Sequence, residues 1–474
     1  MIKNFTKFSD KNKILNLFLI FFPAFLITGP LIPEILMLYI NVIFLINLKK
    51  LKFEKNEKFI LSILIIFWLF ICLSSLTSGN ILFSLKSSLL YIRFILFGSA
   101  VYFYFSLFPN QIIKLFKIIL LSLLILSLDS LLQYFYGYNI MGYSKYGMRG
   151  IYDSVRLGSL MGDELILGSY ISKFFILIFS INFATEGKKK IWINFFLVLI
   201  FFVIFLSGER QAFYFSIISL ILILLITFNK NFLSIFFVII TSFILFTVIS
   251  KSDQNIKDRM IKPIYVLKNL DEKVVNIINY FNSNINLTNN EPDKEKINNS
   301  IELSNENFIN EKSHQDLILF SSHHTNHYKV ALAMFLDKKL IGQGPRTFRL
   351  LCEKQNFKIF LKDPSENGCS THPHNFYFQL LAETGIIGFL CLIILFCYLT
   401  FLVVKMVLYN LLGLNIRISQ FTRLYFLLPT MLLFPFMPNG NFFNNYLNMT
   451  LYFLFALCAM FIKLEKNNIK FKVL

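Results

Sequence analysis

Two imidazoles and an amide stand together at Thr371-His372-Pro373-His374-Asn375, immediately before an apolar segment that begins at Phe376. The 6 histidines of the chain occupy positions 314, 323, 324, 327, 372 and 374, so all fall in one polar stretch. Imidazole is the side chain that exchanges a proton near neutral pH. Acid–base chemistry is thereby confined to one loop and one edge of an apolar region. Pro373 fixes its own φ and biases His372 towards extended backbone. Asn375 is a suitable N-cap for the helix that follows. His374 is then expected at a helix N-terminus, whose positive end disfavours the imidazolium and keeps a base neutral. It could take a proton from a hydroxyl nucleophile, with His372 in support. The bland alternative is a pair of loop histidines bonded to backbone. His-x-His with His323, His324 or His327 could also form a zinc set, but the spacing fits no compact zinc signature. No metal and no cofactor is expected.

Arginine supplies the second kind of chemistry. Arg210 lies in the tight turn Ser207-Gly208-Glu209-Arg210 between two apolar runs. A snorkelling interfacial arginine is the plain reading there. Arg149 and Arg156, and Arg346 and Arg349 beside the Gly342 turn, fall in connections expected on the same face. Such guanidinium groups can grip a phosphate-bearing ligand bidentately. Lys329, just upstream of that turn, is a further cation. Arg93 inside an apolar run is a functional candidate by its depth, and Glu383 either orients a partner or lies at headgroup level.

These residues need a scaffold, and composition says which. Of 474 residues, 56% are hydrophobic, 58 are Phe and only 15% are charged. Apolar runs of roughly 17–23 residues recur, the length that crosses hydrocarbon. The expected fold class is all-α: a polytopic helical membrane protein with about 12 transmembrane helices and one large periplasmic loop. The spans are expected near 14–30, 31–48, 59–76, 89–107, 115–136, 164–184, 191–208, 211–228, 232–250, 385–406, 424–437 and 446–463. The net charge of +19 sits in short connections, as cytoplasmic loops require, and implies no nucleic-acid partner. Both termini are then cytoplasmic. The chain divides into a helical part at 1–250, a large loop at 251–374 and a second helical part at 375–474. Within the loop, 269–313 carries eight acidic residues against four lysines with little periodicity and is expected to be flexible. Tyr328 to Leu336 reads as a short amphipathic helix. Cys352 and Cys369, 17 positions apart in that loop, suit a disulfide on an oxidising face, worth about 3 kcal/mol for a loop of that size.

His374-Asn375, nine residues, Gly385, two residues, Gly388 resembles the signature of the O-antigen ligases and the related O-antigen polymerases. Ser207-Gly208-Glu209-Arg210-Gln211-Ala212 resembles that family's Ser-Gly-x-Arg-x-Ala turn. Leu340-Ile341-Gly342-Gln343-Gly344-Pro345 resembles its Pro-Leu-x-Gly-x-Gly element, with Lys339 where the family often has Pro. Arg156 to Tyr170, with Leu167-Gly168-Ser169-Tyr170, is similar to the segment before its middle spans. The resemblance runs from about residue 80 to 400. It implies a twelve-span, metal-independent glycosyltransferase of the inner membrane, working on the periplasmic side with a glycan on undecaprenyl diphosphate as donor. The acceptor is a sugar hydroxyl of lipid A-core for a ligase, or the next repeat unit for a polymerase. The single large loop before His374 favours the ligase. By position, His374 is implied as the base and Arg210 as the diphosphate ligand. Arg156, Arg346, Lys329, His372 and Asn375 stand beside them as substrate-binding candidates. The chain departs from the pattern at His327-Tyr328-Lys329, where the family usually offers an arginine. A transporter of lipid-linked glycan and a zinc-dependent hydrolase on a membrane anchor are the rival readings.

Overall fold

The computed structural model of the chain describes residues 13–145, 156–162, 164–183, 185, 187–260, 322–361, 367–414 and 419–467. The expected flexible segment 269–313 and Arg149 lie outside them. Helices follow one another in the order α1 (Lys13–Phe25), α2 (Leu31–Asn47), α3 (Lys55–Leu76), α4 (Ile81–Leu89), α5 (Ile92–Leu107), α6 (Gln111–Tyr136), α7 (Leu167–Phe183), α8 (Gly187–Leu206), α9 (Arg210–Ser252), α10 (Gln254–Met260), α11 (Ser322–Asp337), α12 (Phe348–Leu351), α13 (Phe376–Leu411), α14 (Gln420–Leu432) and α15 (Asn445–Lys466). No strand occurs among the described residues.

Among the described residues, eight helical stretches are long and apolar enough to cross a membrane. The chain is therefore a multi-pass membrane protein. α1, α2, α7 and α14 coincide with expected spans but have only 13 to 17 residues, fewer than the roughly 20 that span hydrocarbon. The count of 12 thus rests on four helices shorter than the rule asks. α9 runs for 43 residues, yet the rings of Phe213 and Phe246 are 5.3 Å apart. The chain must double back within it, so Arg210–Thr227 and Phe232–Ser252 count as two spans.

Aromatic packing holds the bundle. Phe22 meets Phe97 at 4.6 Å, and Tyr425 stacks on Phe461 at 4.1 Å. Gly98 lets α5 and α15 close up, since a Cβ there would lie 3.1 Å from the Tyr452 ring. Outward faces carry Leu31, Phe59, Ile66, Phe243 and Ile394, all more than 60% exposed. A lipid-bathed surface explains so many bare apolar groups. Arg93 is the deep arginine of the sequence, and it is paired: it contacts Glu34 at 3.1 Å and donates to Asn445 at 2.7 Å. Asn445 donates in turn to Glu34, so this triad ties α2, α5 and α15 together.

α13 is two helices joined at Gly385, where φ is 66° and ψ is −165°. A break in an apolar helix frees carbonyl groups that must find donors within the protein. The turn after α11 supplies them. Gln343 and Gly344 donate their backbone N–H groups to the carbonyls of Ala382 and Glu383 at 3.0 and 2.8 Å, and Ile386 donates to Lys339 at 2.8 Å. Gly342 makes this approach possible, because a Cβ there would fall 2.4 Å from Glu383 C. The Gly-x-Gly turn and the Gly385 break are thus one structural unit.

Candidate functional site

Asn375 caps α13, its side chain accepting from the N–H groups of Tyr377 and Phe378. Its amide also donates to the Pro435 carbonyl at 2.7 Å, so the connection between α14 and α15 clasps the start of α13. His374 takes a left-handed φ of 60°, uncommon for a residue with a Cβ, and its carbonyl accepts from Asn439 N at 2.7 Å.

Its imidazole joins three others. Ring centres lie 4.2 Å away at His372, 5.2 Å at His324 and 5.5 Å at His327. α11 begins at Ser322, six residues before the expected Tyr328, and so presents His324 and His327 to the loop. Tyr328 stacks on Phe378 at 4.4 Å and fixes α11 against α13, and Lys329 lies next to it on α11. Burial pushes the His372 imidazole down to about 4, with the charge of Arg349 adding to the effect. Cys352 and Cys369 are disulfide-bonded, closing the loop that delivers this segment. Among the described residues no group of three or more His, Cys, Asp or Glu is arranged to hold a metal ion.

The Ser207–Arg210 turn forms the second part. Gly208 takes a φ of 69°. Glu209 turns back to α7 and accepts from Gly168 N at 2.7 Å, Ser169 N at 3.1 Å and Ser169 Oγ at 2.6 Å, a carboxylate set on a helix N-terminus. Gly168 admits the turn, because a Cβ there would lie 2.4 Å from Ser207 Oγ. Burial raises the Glu209 carboxyl, while Arg156 nearby opposes the rise. The guanidinium of Arg210 is exposed and donates through Nε to the Arg259 carbonyl, while Arg259 Nε donates to the Gly208 carbonyl, each at 2.7 Å. Burial, together with the charges of Arg156 and Arg210, lowers Arg259 to about 10. α10 brings Arg259 here because Asp253 accepts from Tyr134 at 3.0 Å and faces Lys145 at 3.7 Å.

Arg259, Glu209 and Lys173 were missed in the sequence. Lys173 borders a cavity of about 40 Å³ between Gln211, Phe376 and Asn439, and it interacts electrostatically with Glu209. Arg156 and Arg210 come together here, whereas Arg346 associates with Arg349 and Glu383 instead. Asn439 links the two parts: its backbone holds His374, and its side chain accepts from Gln211 Nε2 at 3.4 Å.

Residues 195–393 match the family described as O-antigen ligase. Over that segment the chain is similar to the O-antigen ligases. Members are glycosyltransferase-like membrane enzymes. The matched segment holds Arg210, Arg259, Lys329, Arg346, Arg349, His372, His374 and Asn375, with both disulfide cysteines. Arg156 and Lys173 lie before it. No curated protein matches the chain.

Proposed function

We propose that this protein is an O-antigen ligase-type glycosyltransferase that moves a glycan from undecaprenyl diphosphate to a sugar hydroxyl of lipid A-core on the periplasmic face of the inner membrane. Both termini then lie in the cytoplasm. The observation that carries the reading is the Asn439 link, which ties the segment bearing His374 to the turn bearing Arg210. His374 takes the proton of the acceptor hydroxyl as its oxygen attacks the anomeric carbon. The bond from that carbon to the diphosphate oxygen breaks, and the diphosphate leaves with its electron pair. Arg210, Arg156 and Arg259 neutralise the charge that develops on it. Three cations, Arg156, Lys173 and Arg259, act on the carboxylate of Glu209, Arg210 adds its charge at Arg259, and Glu164 is the second carboxylate close by. That excess suits a dianionic diphosphate diester. His372 is held neutral and supports His374, and Asn375 keeps the segment on the helix end.

His374→Ala is expected to lower glycan transfer by about 10²–10⁴-fold, the usual worth of a positioned base. It is assayed in a strain lacking the native gene, by the surface glycan attached to lipid A. Retained glycan would overturn the assignment. In the null strain, bare core with long glycan left on the lipid carrier marks a lost ligase. Core carrying a single repeat marks a polymerase.

A further inference from the structure

Arg346 and Arg349 stand apart from every other arginine of the site. Arg210 and Arg259 spend their Nε groups on backbone carbonyls. Arg93 and Arg156 leave Nε without a partner among the described residues, but each donates through Nη2, to Asn445 and to the Leu165 carbonyl. The Nε atoms of Arg346 and Arg349 are buried with no hydrogen-bond partner among the described residues. Glu383 is in electrostatic reach of both but accepts no hydrogen bond from either guanidinium. Glu383 accepts from Arg346 N at 2.9 Å, Phe348 N at 3.0 Å and Gln379 Nε2 at 3.0 Å, so its oxygens hold the turn, and the Arg346 guanidinium lies instead over the Phe83 ring at 6.0 Å. That turn is also strained: Arg346 has a left-handed φ of 62°, and such strain collects where a side chain must be aimed. The two guanidinium groups sense each other's charge. Arg349 sits within electrostatic reach of His372, whose ring neighbours His374. Two half-buried like charges without a hydrogen-bond acceptor among the described residues form a site that suits an oxyanion, and the paired forks fit carboxylate or phosphate.

We infer that Arg346 and Arg349 form an acceptor subsite that binds an oxyanion, a carboxylate or phosphate, carried on the acceptor sugar. This rests on the glycosyl-transfer reading above and adds a substrate class to it. The donor diphosphate has its own cations around Glu209, on the far side of the Asn439 link. The pair beside His372 is therefore left for the molecule whose hydroxyl must reach His374. The acceptor is an acidic glycan, and its charge sets the distance from the anchored oxyanion to the attacking hydroxyl.

The test uses the full-length protein in lipid nanodiscs with glucose, glucuronate and glucose 6-phosphate as probes. At least one of the two anionic sugars is expected to bind about tenfold or more tightly than glucose, the worth of one charge-assisted bond pair. Arg346→Gln and Arg349→Gln are each expected to remove that preference. Arg349→Lys keeps the charge but loses the fork, and it is expected to weaken the preference; it serves if a glutamine variant fails to fold. Saturating undecaprenyl diphosphate is expected to leave anionic-sugar binding unchanged. Equal binding of glucose and both anions overturns the proposal, as does a preference that survives the glutamine variants. Competition by undecaprenyl diphosphate, with loss of both ligands in Arg210→Gln, assigns the pair to the donor and overturns it as well. His374→Ala separates the two readings. It should abolish transfer while leaving the anion preference intact, whereas retained transfer removes the base assignment alone.

Discussion

Gly342 offers the sharpest test of how the site is positioned. An alanine Cβ there would lie 2.4 Å from Glu383 C and Thr384 N and 2.5 Å from Gly385 N, roughly 1 Å inside ordinary carbon contact. The opposing atoms are backbone, so they cannot swing aside as a side chain would. Relieving the overlap means lengthening the bonds from Gln343 and Gly344 to Ala382 and Glu383. The residue also has a φ of 69°, which costs a residue bearing Cβ about 1–2 kcal/mol. Overpacking adds about 1–3 kcal/mol, and a weakened hydrogen bond about 1 kcal/mol. Gly342→Ala is therefore expected to destabilise the fold by about 3–6 kcal/mol. Gly413→Ala is the control, because Gly413 has a φ of 66° with nothing within 4 Å of its ideal Cβ, and it should cost only about 1–2 kcal/mol. Melting midpoints of the detergent-purified proteins, followed by size-exclusion recovery after heating, read the difference. Glycan transfer should fall with Gly342→Ala and persist with Gly413→Ala. Equal midpoints for the two variants would refute the argument that backbone contact across the Gly385 break sets the site.

Other consequences follow from single residues. Burial holds His372 at about 4, against about 6.5 in an unfolded chain, so the unfolded state takes up a proton that the native state refuses. Stability should be full above about pH 6.5 and fall by about 3 kcal/mol towards pH 4; His372→Gln should flatten that fall in melting midpoints, and parallel curves would count against the linkage. Cys352→Ser should loosen the loop by about 3 kcal/mol, read as faster proteolysis between α11 and α13, while unchanged cleavage would deny the disulfide its tethering role. Lys173→Met and Arg259→Gln should each weaken undecaprenyl diphosphate binding about tenfold with little change in melting midpoint. Wild-type affinity in both variants would remove these two cations from the donor site.

Much of the scaffold was legible because a membrane span is an apolar run whatever its packing. The helix cap at Asn375 and the Cys352–Cys369 bridge were legible for the same reason: short-range rules decide them. The break at Gly385 hid inside an apolar segment of unchanged composition, so the sequence reading began the span there, whereas the helix begins at Phe376 and carries Gln379 and Glu383 inside it. Ser322-His323-His324-Thr325-Asn326 reads as loop, and its helical state depends on packing against α13. Arg259 and Lys173 escaped notice because neither belongs to a local pattern. Arg259 reaches the turn through Asp253 and Tyr134, and Lys173 gains interest only from Glu209 and the cavity beside it. Glu209 could have been suspected, since it stands inside the Ser207–Ala212 motif.

Asn439 has a thermodynamic consequence. One residue holds the carbonyl of the imidazole segment and the amide beside the arginine turn. A shared tether of this kind transmits free energy in both directions. If occupancy of the arginine turn draws His374 towards its working orientation, then occupancy beside His374 must raise affinity at the arginine turn by the same factor. The two substrates would report on each other before any bond is made or broken, and an empty partner site would leave the other half slack.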